Sequence, residues 1–221
     1  MKSYQLAKYI DHTLLKQDAA EADIAKLCDE AIKYGFFSVC VQPCWTAYAK
    51  SRLVNTDVKV AVVVGFPMGV NETEIKCAEA KLAVERGADE IDMVINVGDA
   101  LSGKLDAVQD EIAKVKQACG SATLKVIIET AFLNEQLIAG LTERCVLAGA
   151  EFVKTSTGFF GAGACVENVA IMAKTANGRA KIKASGGIRD LKTALCMIEA
   201  GADRLGVSAG VKIIDEAKEN D

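Results

Sequence analysis

Three lysines, Lys125, Lys154 and Lys183, and one aspartate, Asp92, stand inside short runs of β-branched residues. Asp92 and Lys154 belong to a set with Cys40 and Gly206, each five residues beyond a glycine that ends a helical stretch: Gly35, Gly87, Gly149 and Gly201. Amines gathered at one place disfavour each other's protonation. A lysine depressed in this way is a neutral amine near pH 7, able to attack a carbonyl and form a Schiff base. A carboxylate among them balances charge and can carry protons as general acid or base. The alternative for any single strand lysine is a structural charge that snorkels to water, and for Asp92 a plain ion pair. The chain has one histidine, His12, and eight cysteines without a C-x-x-C pair, the closest being Cys40 and Cys44. This favours reduced thiols in a cytoplasmic protein and gives no reason to expect a metal or another cofactor. Catalysis is left mainly to Lys, Asp, Glu, Ser or Cys.

Alternating elements must position these groups. Strands are predicted at Tyr9–Thr13, Phe37–Val41, Val58–Phe66, Glu90–Asn96, Leu124–Glu129, Phe152–Ser156, Lys181–Ser185 and Arg204–Ser208. Helices are predicted at Ala22–Tyr34, Trp45–Leu53, Glu72–Arg86, Leu105–Cys119, Glu135–Leu147, Val166–Thr175, Leu191–Glu199 and near Val211–Lys218. In the first helix Ile24, Leu27, Cys28, Ala31 and Ile32 form an apolar stripe. Asn71 with Glu74 reads as a capping box. Such alternation implies right-handed βαβ units and a parallel sheet, either a closed eight-fold barrel or an open doubly wound sheet. The four glycines suit left-handed helix C-caps and recur at roughly every second unit. Cys40, Asp92, Lys154 and Gly206 then lie at similar depth on alternate strands, as in one layer of a barrel.

Side chains alternate faces along a strand. One parity carries Ser38, Cys40, Asp92, Asn96, Lys125, Glu129, Lys154, Ser156, Lys183, Ser185, Gly206 and Ser208. The other is aliphatic, with Val39, Val41, Ile91, Met93, Val126, Val153, Ile182 and Leu205. Parallel sheets are normally covered on both faces, so a polar face is best accommodated inside a barrel near its open top. The fold class is therefore α/β, a (β/α)8 TIM barrel, with residues 1–221 as one domain. Active sites of such barrels lie at the C-terminal ends of the strands. Ser185-Gly186-Gly187 and Gly206-Val207-Ser208-Ala209-Gly210 each precede a predicted helix, where backbone N–H groups and the helix dipole favour an anion. A small phosphorylated carbonyl compound is the expected substrate class.

Composition excludes other classes. Acids outnumber bases 30 to 26, for a net charge of −4, which gives no reason to expect nucleic acid or an anionic membrane as partner. No apolar run approaches the roughly 20 residues of a membrane span, and residues 1–8 lack the apolar centre of a signal peptide.

Several segments resemble the deoxyribose-phosphate aldolase family: Phe152-Val153-Lys154-Thr155-Ser156-Thr157-Gly158, Ile182-Lys183-Ala184-Ser185-Gly186-Gly187-Ile188, Glu90-Ile91-Asp92-Met93-Val94-Ile95-Asn96, Leu124-Lys125-Val126-Ile127-Ile128-Glu129-Thr130, Ile10-Asp11-His12-Thr13-Leu14-Leu15-Lys16 and Val39-Cys40-Val41-Gln42-Pro43. The resemblance runs in order along essentially the whole chain. It implies a metal-free class I aldolase that reversibly cleaves 2-deoxy-D-ribose 5-phosphate to glyceraldehyde 3-phosphate and acetaldehyde. It assigns Lys154 as the Schiff-base nucleophile and Lys183 as the second lysine that keeps Lys154 unprotonated and exchanges protons. Asp92 would act with a water in proton transfer, and Lys125 in support. Cys40 and Thr155 would line the site, and Gly158, Gly186, Gly187, Gly206, Ser208 and Ala209 would cradle phosphate. Family members often pair, so a homodimer is implied. Two departures stand out. Phe159 follows Gly158 where some members have a phosphate-binding lysine. The end, Lys218-Glu219-Asn220-Asp221, lacks the C-terminal tyrosine that some members use for proton transfer. On the residues alone, a phosphate-binding isomerase or synthase without an imine, or a non-enzymatic phosphometabolite binder, shares the same arrangement.

Overall fold

A computed structural model describes residues 1–219 and 221. Eight parallel strands follow one another in chain order around a closed barrel. They are β1 (Ile10–Leu14), β2 (Ser38–Val41), β3 (Lys59–Val64), β4 (Glu90–Val94), β5 (Thr123–Ile127), β6 (Phe152–Lys154), β7 (Lys181–Ser185) and β8 (Arg204–Val207). Pairing of β1 with β8, Asp11 opposite Gly206, closes the ring. The expected (β/α)8 barrel is thus observed, and the open sheet is excluded.

The helices are α1 (Ser3–Ala7), α2 (Glu21–Tyr34), α3 (Thr46–Arg52), α4 (Thr73–Glu85), α5 (Val97–Leu101), α6 (Leu105–Cys119), α7 (Glu135–Leu147), α8 (Val166–Ala176), α9 (Leu191–Glu199) and α10 (Gly210–Lys218). At least one lies between each pair of consecutive strands. The aliphatic parity of the strands packs against them: Val39, Val41, Ile91, Met93, Val126, Val153, Ile182 and Leu205 all belong to one buried cluster. In α2, Ile24, Leu27, Cys28 and Ala31 are buried as expected, but Ile32 is exposed. Gly35, Gly87, Gly149 and Gly201 all take positive φ, from 68° to 110°, and turn the chain from helix to the next strand. This is the conformation that a residue without Cβ adopts most readily. Among the described residues no helix is long and apolar enough to cross a membrane.

The differences from expectation are local. The capping box does not form. Helix α4 starts at Thr73 with Glu72 at its N-cap, without a side-chain cap bond. Asn71 stands one residue outside that position, too early to reach the first turn. Helices α1 and α5, five residues each, are too short to leave a periodic signal. Five predicted strands overrun their true C-terminal ends, the last of them by only one residue, since β8 ends at Val207. The chain leaves the ladder after Val64, Val94, Ile127 and Lys154, and the residues beyond form loops around the barrel mouth.

Candidate active site

The polar parity of β4, β5, β6 and β7 points into the lumen, where Asp92 binds all three lysines. The Nζ atoms of Lys125, Lys154 and Lys183 each donate to the Asp92 carboxylate at 2.8 Å. Lys125 and Lys183 have further carboxylates. Lys125 lies 2.6 Å from Glu90, and Lys183 donates to Asp11 at 2.5 Å. Beneath them Arg204 donates to Asp11 at 2.8 Å and reaches Glu90 at 3.4 Å. Its guanidinium stacks 3.4 Å over the Phe37 ring centroid. Ser38 also donates to Asp11. Gly206 makes room for this network, because a Cβ there would stand 3.0 Å from Lys183 Cε.

Four cations (Lys125, Lys154, Lys183 and Arg204) therefore face three carboxylates (Asp11, Glu90 and Asp92), in a space from which water is almost excluded. One cation too many is expensive to bury, and the proton most easily given up is the one with least compensation. Lys154 has a single carboxylate contact. Burial pulls its pKa below the ordinary 10.5; the Asp92 charge opposes this, and the Lys183 charge assists it. Burial acts in the same sense on Lys183 and Lys125. There Asp11 with Asp92, and Asp92 with Glu90, outweigh it, and both amines are held above 10.5. Crowding was expected to depress the lysines as a group; it does so only where carboxylates are scarce. Burial alone would raise Asp92, but the three ammonium groups hold it well below the usual carboxylate range.

A cavity of about 230 Å³ opens at the mouth; none of the three lysines lines it, but its wall includes Gly206, where a Cβ would stand 3.7 Å from Lys183 Nζ. Its lining includes Gly158, Gly186, Gly187, Gly206 and Ser208, the expected anion cradle. Ser208 lies two residues ahead of α10, whose N-terminus adds a favourable dipole for an anion. Lys16 and Arg189 stand at its rim. Neither is among the residues singled out from sequence, although Arg189 follows directly on Gly186-Gly187-Ile188. Ala209 does not line this cavity; it faces a neighbouring groove beside α10. Thr155 does not line it either. Its hydroxyl is taken up by Ser185, donating to the carbonyl and accepting from the N–H, which ties β6 to β7. Cys40 lies fully buried in a small lumen cluster with Leu15, Ala61 and Val63, against Phe66. Burial pushes its thiol pKa up, as suits an unreactive core thiol.

Asp11, Glu90 and Arg204 had no assigned place. Glu90 and Arg204 were legible in principle, since each lies two residues before a lumen residue, Asp92 and Gly206, and so shares its parity. Asp11 was obscured because its strand lacks a strong apolar pattern.

A closed parallel barrel that gathers buried lysines around one aspartate, with a glycine-lined cavity at its mouth, is the architecture of an α/β-barrel enzyme. Residues 5–216 match the family described as DeoC/LacD family aldolase, and the chain belongs to that family. A deoxyribose-phosphate aldolase of Finegoldia magna is 53% identical over 211 residues, covering 96% of this chain and 99% of that one. One from Thermus thermophilus is 48% identical over 209 residues, 95% of each chain. Among solved structures, the tetrameric deoxyribose phosphate aldolase of Aeropyrum pernix superimposes with a TM-score of 0.91 at 36% identity, covering 99% of this chain and 93% of that one.

Proposed function

We propose that this enzyme reversibly cleaves 2-deoxy-D-ribose 5-phosphate to D-glyceraldehyde 3-phosphate and acetaldehyde through an imine on Lys154, with residues 1–221 acting as one catalytic domain. The observation that carries the reading is the position of Lys154. It is the lumen cation with the fewest carboxylate partners, and its strand runs on into Thr157, Gly158 and Phe159 of the cavity wall. The similarity to deoxyribose-phosphate aldolases supports the substrate.

The neutral Lys154 Nζ attacks C1 of the open-chain aldehyde. The carbonyl oxygen takes one proton from the Lys183–Asp92 network and a second relayed from the attacking nitrogen, and leaves as water, giving a protonated imine. The network, now one proton short, accepts the C3 hydroxyl proton, and the C2–C3 bond breaks. Its electron pair passes into the imine as an enamine, and glyceraldehyde 3-phosphate departs. Protonation of the enamine at C2 and addition of water release acetaldehyde and restore the amine. Asp92 touches all three Nζ atoms, so a proton leaving Lys154 has a short route to its neighbours. Lys125 supports this route by holding Asp92 in place. With Phe159 where some family members carry lysine, the phosphate is held by backbone N–H groups at Gly158, Gly186, Gly187 and Gly206, by Ser208, and by the rim cations Lys16 and Arg189. The reaction belongs to the breakdown of deoxyribonucleotides in the cytoplasm. The same reading includes a homodimer, checked by light scattering.

A coupled assay for glyceraldehyde 3-phosphate tests the activity, and borohydride reduction in the presence of acetaldehyde tests the intermediate. The expected result is turnover with a reduced two-carbon adduct on Lys154. Turnover without an adduct supports an imine-free barrel enzyme instead, and ligand-induced stabilisation without turnover supports a binding protein.

A further inference from the structure

Glu129 is a buried carboxylate that the steps above leave unused. It follows β5 by two residues, and its backbone takes φ 56°, ψ 68°, the left-handed region that a glutamate adopts only when its surroundings impose it. The parity of β5 alone would aim it into the lumen beside Lys125. The turn instead carries its carboxylate sideways to the first loop residues after β6. There it accepts the Thr157 N–H at 3.1 Å and the Thr157 hydroxyl at 2.5 Å. That hydroxyl oxygen accepts in turn from the Phe159 N–H at 3.1 Å. Between Thr157 and Phe159 lies Gly158, and all three line the cavity at the barrel mouth.

The same loop is anchored at its far end by backbone alone. Ala164 N–H donates to the Gly186 carbonyl at 3.1 Å, and a Cβ on Gly163 would stand 2.4 Å from that oxygen. At its near end, Phe159 meets Phe66 edge-on at 5.2 Å between centroids, a contact that orients the ring but does not fix the Thr157–Phe159 backbone. The Glu129 carboxylate does fix it, using charge-assisted bonds, which are roughly twice as strong as neutral ones.

We infer that Glu129 is a positioning residue for recognition of the substrate phosphate: it clamps Thr157 so that Gly158, where a Cβ would stand 3.6 Å from the Gly186 Cα, and Phe159 keep their places in the cavity wall beside the Gly186-Gly187 loop. The inference rests on the phosphate reading given above. It separates two tasks on one loop. Lys154 sits on the strand and depends on the lumen charges, whereas the loop beyond Ser156 depends on Glu129.

The test compares kcat/KM for 2-deoxyribose 5-phosphate with kcat/KM for unphosphorylated 2-deoxyribose, in wild type, Glu129→Gln, Glu129→Ala and Thr157→Val. The ratio is expected to fall by about tenfold or more in Glu129→Ala, mainly through KM for the phosphorylated sugar. Glu129→Gln, which keeps an acceptor oxygen of the same reach, should recover most of the ratio. Thr157→Val removes the hydroxyl bonds of the same link, to Glu129 and from the Phe159 N–H, while leaving the Thr157 N–H bond, so its ratio decides the matter if Glu129→Ala does not fold. A ratio that survives in both variants, however large the overall loss, overturns the role of Glu129. A wild-type ratio near one overturns the phosphate reading itself.

Discussion

Two regions of this molecule bury a lysine completely, and they behave in opposite ways. Outside the barrel, Lys76 on α4 reaches between β4 and α6. It donates to the Val94 carbonyl at 2.9 Å and to Glu111 at 2.8 Å. Glu111 also accepts from the Asn96 N–H at 3.3 Å. One cation meets one anion, and both carboxylate oxygens are engaged. In the lumen, four cations meet three carboxylates, and Asp92 is divided among three amines. Burial of a lysine is therefore not by itself a sign of chemistry. A balanced pair is structure; an unbalanced cluster leaves one amine ready to lose its proton.

Substitutions can break or sharpen this contrast. The largest effect is expected from Lys154→Leu, which should lower cleavage by a factor of about 10⁴ or more and abolish borohydride trapping, with the circular dichroism of the barrel retained. An adduct mapped to Lys125 or Lys183 in the wild type would show that the imbalance was assigned to the wrong amine. Next, Glu111→Ala should cost about 3–5 kcal/mol in chemical denaturation, because it strands a buried ammonium. The double variant Lys76→Met with Glu111→Leu should instead be neutral or stabilising by about 1–4 kcal/mol and keep its kcat. If it loses activity as severely as Lys154→Leu, the two lysine sites are not separable.

Two pH experiments probe smaller effects. The reactive form of Lys154 is the free amine, so trapping at limiting acetaldehyde should rise with pH through a midpoint below 10.5, the ordinary lysine value. The Lys183 charge lowers that midpoint, so Lys183→Met should move it to higher pH; an unchanged or more acid midpoint would refute the coupling. The carboxylates give the opposite sign in stability. Against the upward pull of burial, nearby cations hold Asp11 and Asp92 below their ordinary 3.8. Their contribution is then complete above that value and drains away as pH falls through the depressed folded values. Acid unfolding monitored by fluorescence of Trp45 should therefore be confined below about pH 4 for this contribution. Asp11→Asn should flatten that part of the curve.

Much of this arrangement was legible from local rules. Strands β4 to β7 declared their two faces by alternation, so Asp92, Lys125, Lys154 and Lys183 could be placed together before any coordinates. The glycines at 35, 87, 149 and 201 marked the helix ends because the left-handed turn there disfavours a side chain. Other features were silent for identifiable reasons. Asp11 lies on a strand of Ile, Asp, His, Thr and Leu, which has no clean alternation. Lys76 sits in the first turn of helix α4, where a lysine is normally solvated, and the approach of α6 buries it. Glu129 shares parity with Lys125, yet a left-handed residue after the strand end turns it away, and alternation fails where the strand does. Thr155 was drawn into the site by its neighbour Lys154, although its own parity points it toward the backbone of β7.

Sequence by itself determined the element order, the polar and apolar faces of the strands and the identity of the lysines, because these follow from periodicities of two and 3.6 residues that need no distant partner. The resemblance named Lys154 as the nucleophile, but only the tertiary structure supplied a physical reason to single out that amine. That choice depends on how many carboxylates lie within about 4 Å of each amine, since charge interactions of this strength act over contact distances. Those distances arise when Asp11 from one end of the chain and Arg204 from the other close the barrel around Asp92.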